Sequence, residues 1–299
     1  MCYFRLLILF FATLPGFAYS ALNVFVCEPE WGALVTELGG DSVKVYSATT
    51  ALQDPHHIEA RPSLIAQMRR AKLAVCTGSE LEIGWLPILL RQSGNAAIQP
   101  GQPGYFEATH YVPMREKPAV LDRAQGDVHP GGNPHIQTDP RNIARVAQAL
   151  GARLAEIDPD HATDYQSRLK DFNTRWNAAM ARWQAQAAPL KGMSIVVQHR
   201  AFPYLEDWLG LQQVAVLEPK PGVEPSVSHL AQVATRLKTT PARAVLRAAY
   251  QNPRPSQWLS ERVGMPVVVV PFTVGGSARA KDLFGLFDDT LDQLLKVAP

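Results

Sequence analysis

Cysteine is scarce: three in 299 residues, at positions 2, 27 and 76. None are spaced as Cys-x-x-Cys, which sets aside thiolate zinc knuckles and dithiol redox motifs. A Gly-x-Ser-x-Gly elbow, a Walker phosphate loop and a His-Glu-x-x-His helix are also absent, so the short signatures of common hydrolases, nucleotidases and metalloproteases find no match. Charge of one sign is missing too. There are 29 basic against 27 acidic residues, with no basic run, which argues against nucleic acid as a partner. Long apolar runs are confined to the start of the chain. Beyond it no stretch reaches the about 20 apolar residues that a bilayer span needs, so no membrane insertion of the mature chain is expected.

What is present at the start reads as a signal peptide over residues 1–20. Arg5 is its only charge, LLILFFATL (6–14) is its apolar stretch, and Ala18-Tyr19-Ser20 supplies small residues at the two positions a peptidase reads. Cleavage is expected after Ser20, giving an exported, periplasmic protein. No lipid anchor is expected, because Phe25 and Val26 precede Cys27 where a small residue is needed. The mature chain then carries 28 basic against 27 acidic residues and two cysteines, Cys27 and Cys76. An even count in an oxidising compartment is what one disulfide needs, two buried free thiols being the alternative.

The mature chain alternates short apolar runs with helical patterns, an α/β reading in two similar halves. Strands are expected at 22–27, 43–47, 72–77 and 118–121 in the first half, and at 193–198, 212–217, 243–248 and 266–271 in the second. Helices are expected between them, at 30–39, 62–71 and 202–210 among others. Each half is then a small parallel sheet with flanking helices. Between the halves, Asp139-Pro140 and Asp158-Pro159 each read as an N-cap followed by a proline at the first helical position. From Pro159 to Ala187, Tyr165, Leu169, Phe172, Trp176, Met180 and Trp183 fall on one stripe, which predicts a rod of roughly 40 Å. Residues 21–158 and 191–299 thus form two lobes, joined by one long spanning helix within 159–190. Such an arrangement leaves a cleft, and open α/β sheets bind ligands at the carboxyl ends of their strands.

Eight histidines are present, and they concentrate at those ends. His56 and His57 follow the strand at 43–47, His129 and His135 precede the Asp139-capped helix, and His199 directly follows the strand at 193–198. Pro55 and Pro134 fix the backbone just before His56 and His135, reducing the entropy lost on ordering a ligand. Three or four imidazoles on separate loops are the donor set of a tetrahedral metal site, and neutral imidazole suits zinc. His110, His161 and His229 read as surface residues. His57 and His129 read as solvated residues, with an alternate or second-site ligand role as the other option.

Six segments in order resemble the zinc and manganese solute-binding proteins of bacterial ABC importers: DPHHIEARPS (54–63), CTGSELEIGWLP (76–87), GNPHIQTDPRN (132–142), QHRAFPYLEDWLGL (198–211), EPKPGVEPSVSHL (218–230) and the run from VVVVPFTVGGS to LDQLL (267–295). The resemblance covers essentially the whole mature chain. It implies a two-lobed fold with one spanning helix, His56, His135 and His199 as metal ligands, and the permease of an ABC importer as membrane partner. It implies Zn2+ as the transported ligand, with Mn2+ or iron as the alternative cargo, and the chain is taken to act as a monomer. Relatives carry an aspartate after the last strand, where this chain has Val269-Val270-Pro271-Phe272. The fourth position is therefore assigned to Asp282, with Glu218, Glu224 or water as alternatives. A metallohydrolase with an open zinc position is the reading from a different class, although no carboxylate stands at an obvious general-base spacing from the three histidines.

Overall fold

The computed structural model describes residues 21–119, 124 and 126–299. The expected signal peptide lies outside them. The first sheet contains β1 (Leu22–Val26), β2 (Val43–Ser47), β3 (Leu73–Cys76) and β4 (Tyr105–Glu107), in the order β2-β1-β3-β4, every pair parallel. The second contains β5 (Ser194–Val197), β6 (Gln212–Val216), β7 (Ala244–Ala248) and β8 (Val267–Val270), in the order β6-β5-β7-β8, again all parallel. The two halves thus repeat one topology. Parallel sheets are covered on both faces, which is why their central strands read as unbroken apolar runs.

The fourth strand differs from expectation. It is the three-residue Tyr105–Glu107 and not the stretch at 118–121, of which residues 120 and 121 lie outside the described set. Three residues are too few to show a period in sequence. Gly104 marks the place instead: a Cβ there would stand 2.4 Å from the carbonyl oxygen of Ala97, so only glycine lets the chain reach the sheet edge.

Alternation along each strand divides its side chains between two cores. In the first sheet Phe25, Cys27, Ala74 and Cys76 face α2 (Pro62–Arg70) and α3 (Leu86–Ser93), through Leu64, Met68, Leu86 and Leu89. In the second, Val196 and Val245 face α7 (Val227–Arg236) and α8 (Arg254–Val263), through Leu230, Val233 and Leu259. The opposite faces of both sheets share one continuous core with α1 (Pro29–Gly39), α4 (Pro140–Ile157), α5 (Ala162–Gln186), α6 (Pro203–Leu209) and α9 (Leu283–Leu295). Cys27 and Cys76 continue the pairing of β1 with β3 and form a disulfide, with Cα atoms 4.8 Å apart, within the range a bridge requires.

The spanning helix is α5, whose 25 residues make about 37 Å of rod. Its start is later than the proline at 159 implies. Pro159–His161 forms a 3-10 turn, and Asp158 is occupied by the Tyr165 hydroxyl at 2.6 Å and the His161 ring at 2.8 Å. The expected stripe is buried or partly buried in the shared core. The Trp176 ring packs on Phe172, Trp183, Phe284 and Phe287, with centroids 4.9 to 5.6 Å away, and its Nε1 donates to the Pro140 carbonyl. Helix α5 therefore touches α1 and α4 of the first half and α9 of the second.

A polar contact also crosses between the halves. The Thr273 hydroxyl, beyond β8, donates to Glu30 on α1 at 2.5 Å. Burial pushes this carboxyl up to about 7 from its ordinary 4.5. The folded chain therefore holds a proton that the unfolded chain releases between those pH values. The resulting stabilisation is complete below about 4.5 and is lost as pH rises through about 7. Glu30→Gln keeps an acceptor for Thr273 and removes the titration. Its urea midpoint relative to wild type should therefore climb between pH about 4.5 and about 8; a constant difference would mean that Glu30 carries no native-state proton.

Candidate metal centre

The chain brings His56, His135 and His199 together. One ring nitrogen from each lies within 4.8 Å of the others, and all three residues are at least nine-tenths buried. Ring centroids are 5.5 Å apart for His56 and His135, 5.7 Å for His56 and His199, and 5.5 Å for His135 and His199. A tetrahedral zinc with bonds of about 2.05 Å would set the nitrogens about 3.3 Å apart and the ring centres roughly 5 Å apart. The Nε2 atoms of His135 and His199 are 3.4 Å apart.

Local structure aims each ring. His56 follows β2, in a turn where the Asp54 carboxylate accepts from the His56 backbone N–H at 3.0 Å and contacts its Nδ1 at 2.7 Å. Trp85 Nε1 anchors that turn by donating to the Pro55 carbonyl. His135 precedes α4, whose N-cap Asp139 accepts from Arg141 N as expected. Asn133 Oδ1 accepts from His135 N, and Asn133 Nδ2 donates across the cleft to the Arg200 carbonyl at 2.7 Å. His199 follows β5, and its Nδ1 is 2.6 Å from Glu218 Oε2. That oxygen also accepts from Gly222 N.

Carboxylates on the Nδ1 atoms of His56 and His199 keep the proton there and leave Nε2 as a lone-pair donor, an arrangement common behind metal-bound histidines. His135 has no such partner; its Nδ1 is buried without one. Burial, together with the neighbouring imidazoles, holds His135 well below the ordinary imidazole range and takes His129 down to about 3. Both are therefore neutral near pH 7, the form that binds metal.

Asp282 is not brought to this group. It is the N-cap of α9, accepting from Gly285 N at 2.7 Å, and it borders a surface hollow with Thr36, Glu37 and Arg168. Its eleven-residue distance from β8 is taken up by the turn that starts that helix. Glu218 reaches the site, but on the far side of the His199 ring, and Glu224 accepts from Asn252 at the surface. The wall beyond β8 is apolar: Phe272, at a left-handed φ of 71°, packs edge-on to the His135 ring with centroids 5.4 Å apart and is tilted against Tyr250 at 5.5 Å. Sequence reasoning missed Asp54, Glu218 as an orienting group, and Phe272. Only Asp54 left a signal, two residues before its histidine.

The fold and the sequence are both similar to known proteins. The family model for the periplasmic zinc-uptake complex component A, ZnuA, matches residues 24–297. The high-affinity zinc uptake system protein ZnuA of Bacillus subtilis (strain 168) is 22% identical over 233 residues, covering 77% of this chain and 71% of that protein. A crystal structure of ZnuA superposes with a TM-score of 0.77 at 20% identity, covering 94% of this chain and all of the other. The manganese-bound periplasmic metal-binding protein of Candidatus Liberibacter asiaticus has a TM-score of 0.74 at 14% identity, covering 93% and 99%. With the matched region running through both sheets and every loop that bears a clustered histidine, the chain belongs to the family of periplasmic zinc-uptake complex component A proteins.

Proposed function

We propose that this protein captures Zn2+ in the cleft between its two sheets, with the Nε2 atoms of His56, His135 and His199 as ligands, and delivers it to the permease of an ABC importer. The observation that carries this reading is the 3.4 Å approach of two buried Nε2 atoms, with a third imidazole alongside. The carboxylate on Nδ1 of His199 leaves its Nε2 a lone pair; a proton on His135 Nε2 can bridge the gap in the metal-free chain, and a cation that accepts both lone pairs takes its place. Three nitrogen donors favour zinc over manganese, which prefers more oxygen; manganese is the lesser cargo. Ligands from both halves make the ion a clasp between residues 21–158 and 191–299, with 159–190 as the link. The shared core on α5 limits the motion to local change and excludes a wide hinge. Residues 1–20 are removed on export, and the mature chain works as a periplasmic monomer.

Carriage is favoured over hydrolysis by where the carboxylates stand. Asp54 and Glu218 hold Nδ1 atoms, on the side of each ring away from a metal at Nε2, so neither is placed to deprotonate a metal-bound water. Titration of stripped protein should give about one zinc per chain, without zinc-dependent turnover of ester or phosphate substrates. Asp282→Ala should bind zinc as wild type does while losing about 1 kcal/mol of stability with its cap. Loss of zinc binding in Asp282→Ala would restore that residue to the ligand set. Failure of the wild-type chain to take up zinc would remove the proposal.

A further inference from the structure

His129 is the residue that the triad leaves unexplained. Its Nδ1 lies 3.1 Å from the Ser79 carbonyl oxygen, so that nitrogen carries the proton and Nε2 keeps its lone pair. That Nε2 is buried and has no hydrogen-bond partner, as is the Nε2 of His56. The His129 ring centre stands 5.4 Å from that of His56, the same spacing found among the three clustered imidazoles. Two hollows meet at His129: one of about 320 Å³ bordered by His135 and His199, the other of about 480 Å³ bordered by His56 and His57.

The segment carrying His129 is tied to both halves. On the first side Ser79 Oγ donates to the Gly132 carbonyl, in addition to the His129 contact. On the second, Asp127 N donates to the Pro221 carbonyl at 3.0 Å, and Lys220 Nζ donates to the Ala124 carbonyl at 2.7 Å. Residues 126–132 therefore cross the mouth of the cleft as a strap. Three nitrogens do not complete a tetrahedral zinc. Among the nearby carboxylates of the described residues, Asp54 and Glu218 are committed to ring Nδ1 atoms and Glu116 to Arg200 and Asn133, while Glu80 borders the hollow of His56 and not that of His135 and His199. Asp127, on the strap itself, is the remaining oxygen donor that borders both hollows.

We infer that His129 is the fourth zinc ligand, supplied from the strap through Nε2. This rests on the zinc-carrier reading above. His129 stands outside the group of nitrogens that lie within 4.8 Å of one another, so it joins when the ion arrives. Loading then ties the strap to the centre. The bound form differs from the free form at the cleft mouth, where a membrane partner can read it, with no movement of the lobes.

The test uses the mature chain, stripped and reloaded with Zn2+, comparing wild type with His129→Ala, His129→Gln and Asp127→Asn. X-ray absorption of the zinc should count four imidazoles in wild type and Asp127→Asn, and three plus an oxygen in both His129 variants. Affinity by chelator competition should fall roughly 10²- to 10³-fold in the His129 variants, as for the loss of any one of four donors and more than the loss of an outer-sphere partner costs. Free imidazole should restore part of that loss in His129→Ala, which a merely structural role would not allow. Unchanged metal-free melting temperatures separate these effects from misfolding. An imidazole count and affinity in His129→Ala equal to wild type would overturn the inference and leave the carrier reading intact. Loss of an oxygen donor in Asp127→Asn would overturn it in favour of that carboxylate. Absence of zinc uptake by wild type would overturn both.

Discussion

His199→Ala is expected to weaken zinc binding by roughly 10²- to 10³-fold, read by competition with a chelator of known affinity. Protein zinc sites bind with about 10–16 kcal/mol, so each of four donors accounts for about 2.5–4 kcal/mol, and each 1.4 kcal/mol is tenfold. The Nε2 of His199 faces that of His135 at 3.4 Å, and the residue is the contribution of β5, from the second sheet. Its removal should therefore also reduce the rise in melting temperature that zinc confers on the wild-type chain at the same zinc concentration. Glu218→Ala should cost less, about 10- to 100-fold, because it frees the ring without deleting it. Equal losses in the two variants would mean that Glu218 is itself a ligand; wild-type affinity in His199→Ala would end the metal assignment.

Trp176→Ala should lower stability by about 3–5 kcal/mol, a large part of the about 5–15 kcal/mol that domains possess. The side chain is fully buried, and four aromatic rings surround it, Phe172 and Trp183 from its own helix and Phe284 and Phe287 from α9. Its loss also leaves the Pro140 carbonyl at the start of α4 without the indole donor. Because α1, α4, α5 and α9 share one core with both sheets, urea unfolding should stay a single transition with its midpoint moved down. A two-step curve, with one half melting early and the other unmoved, would contradict a common core. Zinc affinity measured below the transition should change little, since Trp176 touches none of the three histidines.

Much of this was legible in the residues alone. Seven of the eight strands stand where apolar runs predicted them, because strands covered on both faces must be apolar throughout, and such runs are conspicuous in sequence. Asp139 caps α4 as its neighbouring proline implied. The aromatic stripe of α5 was visible because a long helix repeats its buried face every three or four residues. The edge strand Tyr105–Glu107 was not visible, since it is short and defined by its pairing with β3. The start of α5 was misjudged because Asp158 serves Tyr165 and His161 instead of the helix backbone.

For the site, composition and loop position singled out His56, His135 and His199, since imidazole chemistry is written in residue type and strand ends are where loops carry ligands. Which groups stand behind those rings depended on contacts between residues far apart in the chain: Glu218 meets His199 across β5 and β6, and Phe272 meets His135 across the cleft. Asp282 illustrates the difference. Its charge suited a ligand, but the turn into α9 directs its oxygen to Gly285. Periodicity and residue chemistry are local properties that a sequence carries in full; distance and direction between remote side chains arise only when two sheets and a strap are packed together.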